Sequence, residues 1–356
     1  MTASQSEKGR HNNFGSLRLL FAALVVVSHS PELIDGTRHR ELLTMAFGTM
    51  SFGELAVDGF FIVSGYLIAK SMVDSRSVLD FMIKRCARII PGYVVAFWFA
   101  VLFIAPWVTN GPVFTPAILG TQVFQTLKLA TPHIPHVFDG LPVPALNGAM
   151  WTIGYEFRCY LAIAALGAIG ALNLRTRPLI LAAAIALLAV NIYTAPREPD
   201  TSGLVQFIFR SISFGSMFAM GTVFYLFRDR ITLSGRGAAI SAAALFALMF
   251  WDPLAHAAFA IFGSYLVFWF AFNVPVLKTS KVDNKVDISY GLYLYAWPIQ
   301  STLIYFFRDI DPITHCLISL ILASLAGLAS WKLVEEPALR FVRNRRAPRA
   351  KTVQSA

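Results

Sequence analysis

Ten runs of mainly apolar residues, separated by polar segments, organise the chain. They lie at approximately 14–31, 52–70, 89–107, 150–172, 178–195, 204–227, 237–251, 254–274, 287–307 and 313–334. A helix needs about 20 mostly apolar residues to cross a bilayer. The pattern therefore predicts an all-α, polytopic integral membrane bundle of about ten transmembrane helices. The fifth and seventh runs are short and Ala-rich and carry the weakest signal. The longest polar connection, about 108–149, is rich in proline: Pro112, Pro116, Pro132, Pro135, Pro142 and Pro144. A connection that long inside a compact protein is often functional. No internal repeat is visible, and no polar segment is long enough to form a soluble domain.

Composition agrees with this reading. Hydrophobic residues make up 56% of the chain and charged residues 14%, against about 25% charged in a soluble domain. A soluble fold this apolar would leave too much hydrocarbon facing water. The net charge of +10 raises the question of nucleic acid, but the distribution of charge answers it. With the N-terminus placed in the cytoplasm and sides alternating, Lys84, Arg85, Arg88, Arg175, Arg177, Arg228, Arg230, Lys278, Lys281, Lys285 and the tail from Arg340 to Lys351 all fall on the cytoplasmic side. The outer segments keep Arg38, Arg40, Lys128, Arg197 and Arg308. This asymmetry predicts two cytoplasmic termini, a lipid bilayer as partner and no nucleic acid. The polar start MTASQSEKGRHNN leads into a run ending in SHSPELIDG, so an uncleaved first span is expected rather than a signal peptide. Cys86, Cys159 and Cys316 are odd in number and widely spaced, which suggests neither a disulfide framework nor a metal site. His133 and His136 lie in the Pro-rich connection and are a weak metal signal; no metal is expected.

Ionisable groups inside a bilayer are costly and usually face a bundle interior or a cavity. The first run holds Arg18 and His29, separated along a helix by roughly 16 Å. Arg18 then lies near the cytoplasmic face and His29 toward the outer face. The second run enters from outside, which sets Asp58 at a depth near His29. The fourth also enters from outside, and Glu156 falls in the outer half. One imidazole and two carboxylates, from three helices, thus converge on one layer as a candidate acid/base site. An imidazole can take a proton from an alcohol and return it to a leaving group, and an adjacent carboxylate can fix its tautomer. Structural alternatives stay open: His29 as a cap at the interface, Asp58 as a helix-start residue favoured by the dipole, and Glu156 as a counter-charge to Arg158. Arg85 and Arg88, three apart on one helix face, can grip a phosphate or simply anchor the helix on the positive side. No glycine-rich phosphate loop is present.

These same residues carry a resemblance that covers nearly the whole chain. SLRLLFAALVVVSHS has Arg followed eleven residues later by His. AVDGFFIVSGYLIAKS, FMIKRCARIIPGY, MWTIGYEFRCYL, ISYGLYLYAWPIQ and LVEEPALR follow in order. Together they resemble the membrane acyltransferases of family 3, which O-acylate cell-surface carbohydrates. The resemblance implies an acyl coenzyme A donor, most simply acetyl-CoA as co-substrate, supplied from the cytoplasm. It implies a carbohydrate or glycolipid hydroxyl as acceptor, a multi-pass location in a bacterial inner membrane, one transmembrane domain over 1–340 and a basic cytoplasmic tail over 341–356. Carried over by position, Arg18 and His29 are the key pair. His29, oriented by Asp58 and accompanied by Glu156, is the expected base. Arg18, Arg85 and Arg88 are expected to hold the coenzyme A phosphates, and Ser64, Tyr66, Trp151 and Tyr293 to line the substrate path. One departure is Ala296, which stands where many members have His before the aromatic-Pro pair Trp297-Pro298, so no catalytic role transfers there. The competing expectation is a transporter or flippase for lipid-linked sugars that uses the same buried charges without covalent chemistry. The chain lacks the repeated halves and paired broken helices that many transporters show. A homo-oligomer is left open.

Overall fold

The computed structural model describes residues 12–194, 203–275 and 286–346. Arg197, Lys278, Lys281, Lys285, the polar start up to residue 11 and the tail beyond 346 lie outside the described residues. The chain is helical, 76% by residue, with no strand among the described residues. Its helices are α1 (Phe14–Asp35), α2 (Leu42–Phe47), α3 (Phe52–Val73), α4 (Val78–Val108), α5 (Pro116–Leu127), α6 (Trp151–Ala168), α7 (Arg177–Thr194), α8 (Leu204–Leu226), α9 (Gly235–Leu248), α10 (Asp252–Asn273), α11 (Ser289–Phe306) and α12 (Pro312–Arg345).

Each of the ten expected apolar runs contains one of these helices. Seven helices, α1, α3, α4, α7, α8, α10 and α12, are long and apolar enough to cross a membrane. The expected count of about ten exceeds this by three, for physical reasons. Helix α9 has only 14 residues, about 21 Å of rise. Helices α6 and α11 have 18 residues each but spend apolar positions on polar ones: Glu156 and Arg158 in α6, Tyr290, Tyr293, Tyr295, Gln300 and Ser301 in α11. Most of α11 is buried against α1 and α12, so it needs no apolar face toward lipid.

Local sequence explains the helix ends. Ser51 caps α3 and forms a reciprocal capping box with Glu54, which satisfies two orphan amide donors. That supplies the helix-start role that Asp58, two turns further in, was considered for. Ser77 caps α4 through Asp80, and Asp311 with Pro312 starts α12. Helices α3 and α8 make the most intimate crossing. A Cβ added at Gly65 would overlap the Phe218 carbonyl, and one at Gly221 would overlap the Ile62 carbonyl. Small residues at such a crossing let backbones approach where lipid provides no hydrophobic drive between helices. Large apolar side chains such as Phe103, Ile185 and Leu325 point outward and are exposed, as a bilayer-facing surface requires.

The Pro-rich connection does not loop away. After α5, the segment around Phe138, Leu146, Asn147 and Met150 is buried. Asn147 donates to the Leu294 carbonyl at 2.8 Å, tying the connection to α11.

Candidate active site

Three adjoining cavities run through the bundle and share lining residues. The first opens at the end where α1, α4 and α12 bring Arg18, Lys84, Arg85, Arg88 and Arg343 together, with Asp287 the acidic residue among them; its volume is about 690 Å³. The second, about 140 Å³, repeats Arg18, Arg85 and Arg88 and continues past Ser64, Glu156 and Tyr160 to Val57, Thr152 and Tyr293. The third, about 430 Å³, begins at those same three residues and holds His29, Asp58, Glu54, Arg38, Asp252 and His256. Residues shared between neighbouring cavities thus link a cluster of guanidinium groups to a cluster of imidazoles and carboxylates.

At the basic end, Asp287 accepts from Arg88 and pairs with Arg18 at 3.0 Å. Arg88 also approaches Glu335 at 3.6 Å and lies over the rings of Tyr290 and Trp331 at 5.8 and 5.7 Å. Both Trp331 and Glu335 belong to a π-helical turn, Trp331–Glu335, an irregularity often found at functional positions. Arg85 makes no ion pair with any described residue; its guanidinium lies 6.0 Å from the Phe81 ring and faces both basic cavities.

In the middle cavity, Glu156 accepts from Ser64 at 3.0 Å and from Tyr160 at 2.5 Å. The Tyr293 hydroxyl donates to the Ala149 carbonyl at 2.5 Å and accepts from Thr152 at 2.6 Å.

At the far end, His29 Nδ1 meets Glu32 Oε2 at 2.9 Å, and its ring abuts Trp297 edge-on at 4.8 Å between centroids. Trp297 is itself fixed by its indole N–H to the Ala145 carbonyl. The Pro-rich connection thus holds two of the residues that shape the site. Arg38 bonds Glu32 at 3.1 Å and Glu54 at 2.6 Å. Burial alone would weaken the Arg38 cation, but Glu54 and Glu32 outweigh it and hold it firmly charged. Asp58, buried in α3, meets His256 Nδ1 of α10 at 2.7 Å.

Residues 12–331 match the family signature described as an acyltransferase domain. The chain belongs to acyltransferase family 3. It is 27% identical over 335 residues to an O-acetyl transferase of Shigella phage Sf6, covering 92% of this chain and 96% of that protein. It is 27% identical over 379 residues to Nodulation protein 10 of Rhizobium leguminosarum bv. viciae, covering 95% and 96%. A shorter likeness, 29% over 145 residues, links it to acyltransferase MdmB of Streptomyces mycarofaciens, covering 40% and 35%. No solved structure matches the chain. Family membership makes this protein a membrane acyltransferase and displaces the transport-only alternative.

Most of the residues singled out in the acyltransferase's sequence line these cavities, with three corrections. First, His29 is not oriented by Asp58. Glu32, one turn along the same helix, takes that place, and Asp58 partners His256. Second, Glu156 does not share the layer of His29 and Asp58. Four residues beyond Thr152, it is carried about 6 Å further along α6, into the middle cavity. It does not serve Arg158 either, whose guanidinium lies over Tyr155 and Phe207. Third, Tyr66 lines no part of the path. It is buried among Phe14, Tyr225, Phe268 and Phe272, because it projects from the face of α3 opposite Ser64. Arg88 lines both basic cavities as expected but is engaged by two carboxylates, whereas Arg85 and Arg343 make no ion pair with any described residue. Trp151 and Tyr293 do line the third cavity, and the Arg210 guanidinium lies 4.4 Å from the Trp151 ring centroid.

Sequence reasoning missed Glu32, Arg38, His256 and Asp287. Glu32 lies at i+3 from His29 and was findable from that spacing. His256 follows the rule already applied to Asp58, an ionisable residue at the outer start of an apolar run. His136 pairs with nearby Asp139 at 3.3 Å on the surface, and among the described residues no three His, Cys, Asp or Glu side chains group as metal ligands.

Proposed function

We propose that this enzyme transfers an acyl group, acetyl in the simplest case, from coenzyme A at the arginine end to a carbohydrate hydroxyl at the histidine end. The observation that carries the proposal is the shared lining of the three cavities, which gives a thioester a route between the two clusters. The donor's phosphates meet Arg85 first, with Arg18 and Arg88 adding positive potential. Charge-assisted contacts of this kind favour phosphate over neutral ligands. The pantetheine arm occupies the middle cavity, and its thioester reaches the Val57, Thr152 and Tyr293 junction.

His29 then acts as the general base. Glu32 accepts from Nδ1–H, which leaves the Nε2 lone pair for the acceptor hydroxyl. The hydroxyl oxygen attacks the thioester carbon while its proton passes to Nε2. The carbon–sulfur bond breaks, and the imidazolium returns the proton to the departing thiolate. The ester product and free coenzyme A result. The acceptor is a polysaccharide, or a lipid-linked or lipid-anchored glycan, on the outer side of a bacterial inner membrane. Both termini and the arginine end face the cytoplasm, and α6, α9 and α11 complete about ten crossings. The likeness to an O-acetyl transferase of a Shigella phage supports acetyl transfer to oxygen.

The test uses inverted membrane vesicles from cells that express the protein, supplied with acetyl-CoA labelled in the acetyl group. Alkali-labile label in the envelope glycan fraction is the expected result. Label absent from that fraction, with the protein inserted and folded, overturns the reading.

A further inference from the structure

The third cavity contains a second imidazole–carboxylate pair that the scheme above does not use. Asp58 and His256 come from different helices, α3 and α10, and their contact spans 198 positions of sequence at 2.7 Å. Both side chains line the cavity that holds His29.

The two pairs differ in how their charge is balanced. Glu32 already has Arg38 as its cation, so its charge is balanced without help from His29. Asp58 makes no bond to an arginine or lysine among the described residues, and it is buried at 2% exposure. A buried carboxylate resists net charge unless paired. The Asp58–His256 pair therefore holds one shared proton between Oδ2 and Nδ1. In either position of that proton, Nε2 of His256 carries its own hydrogen and is a donor. The charged and titratable groups that share the cavity with the pair are Glu54, one turn before Asp58; Asp252, one turn before His256; and Arg38, Arg210 and His29. The two further carboxylates favour keeping the imidazole protonated.

The reaction needs such a donor. The acyl carbonyl oxygen gains negative charge when the acceptor attacks, and preorganised donors there lower the barrier. The neutral hydroxyls at the junction are spent: Tyr293 donates to Ala149, and Thr152 donates to Tyr293. Arg38 is taken up by Glu32 and Glu54.

We propose that His256 is a second catalytic residue of this acyl transfer, its Nε2–H donating to the acyl carbonyl oxygen as that oxygen becomes an oxyanion. The proposal rests on the acyl-transfer reading above. The electron pair of the carbonyl moves onto oxygen when the new C–O bond forms and returns when the C–S bond breaks. His256 gains and loses no proton in the cycle. Asp58 is its positioning residue.

The test compares wild-type, His256→Ala, His256→Gln and Asp58→Asn enzymes in the same vesicles, with labelled acetyl-CoA as probe. Gel filtration and thermal unfolding in detergent report folding. The expected loss in kcat for His256→Ala is about 10²- to 10³-fold, with KM for acetyl-CoA within about twofold. Glutamine, whose side-chain amide can still donate, restores about tenfold of that loss. The wild-type rate falls at alkaline pH as the pair gives up its shared proton, and His256→Gln lacks that fall. Equal activity of folded His256→Ala and wild type, equal loss in the alanine and glutamine variants, or an unchanged alkaline limb in His256→Gln overturns the proposal. A wild type that transfers no label defeats the acyl-transfer reading itself and this proposal with it.

Discussion

The two ends of the cavity path handle charge in opposite ways. At one end, Arg18, Lys84, Arg85, Arg88 and Arg343 line one cavity with Asp287, so cations outnumber the carboxylate in its lining. At the other, His29, Asp58, Glu54, Asp252 and His256 share one cavity with Arg38 and Arg210, and two imidazole–carboxylate contacts stand beside carboxylate–guanidinium pairs. Arginine does not titrate under physiological conditions, whereas histidine does. The first end is suited to hold a ligand without chemistry and the second to move a proton. Between the two, Ser64 and Tyr160 donate to Glu156 and Thr152 donates to Tyr293, which donates to the Ala149 carbonyl, so the polar groups of the connecting stretch are taken up by one another and by the backbone.

The comparison can be broken at its most sensitive point by His29→Ala. Loss of a general base lowers the transfer rate by about 10²- to 10⁴-fold, with insertion and acetyl-CoA affinity unchanged; labelled transfer and calorimetry on the same preparation check both. Next in size is Asp287→Asn, which removes the carboxylate shared by two arginines. Breaking a buried pair costs about 3–5 kcal/mol, to be read as a lower unfolding midpoint in detergent. A smaller effect is expected from Arg85→Ala. One lost hydrogen bond to a charged group costs about 1.5–3 kcal/mol, which is roughly a 10- to 100-fold rise in Kd for acetyl-CoA with kcat at saturation preserved. A calorimetric Kd equal to wild type would remove Arg85 from the donor site. The smallest pair sharpens the path itself. Ser64→Ala, which strips one of two side-chain donors from Glu156 and leaves Tyr160, lowers the rate by about fivefold, the loss of about 1 kcal/mol, and Tyr66→Phe changes it by less than about twofold.

Much of the fold was legible because period and length are local signals. The start of α1 at Phe14 and the basic face of α4 follow from them directly. The difference between the ten expected spans and the seven long apolar helices lies where burial, not lipid contact, stabilises a segment: α11 reads as a span and packs against α1 and α12. The contrast between Ser64 and Tyr66 was legible in principle. Two positions along a helix rotate by about 200°, so both could not face one cavity. Pairings were less accessible. The Glu32 contact is a matter of one helical turn, but Asp58 with His256 and Arg88 with Asp287 join residues about 200 positions apart. Only tertiary packing sets those distances. The Pro-rich connection drew attention by its length, and its role emerged from carbonyl groups, Ala145 and Ala149, that no sequence pattern marks.

The account stands on a donor that spans both ends at once. The most direct measurement is a cryo-electron microscopy map of the purified protein with a thioether analogue of acetyl-CoA, which cannot be cleaved. The account predicts phosphate density against Arg85 and the thioether sulfur among Val57, Thr152 and Tyr293, with the acyl group facing His29. Density that leaves the pantetheine arm outside the bundle, or the sulfur beside the arginines, would contradict it.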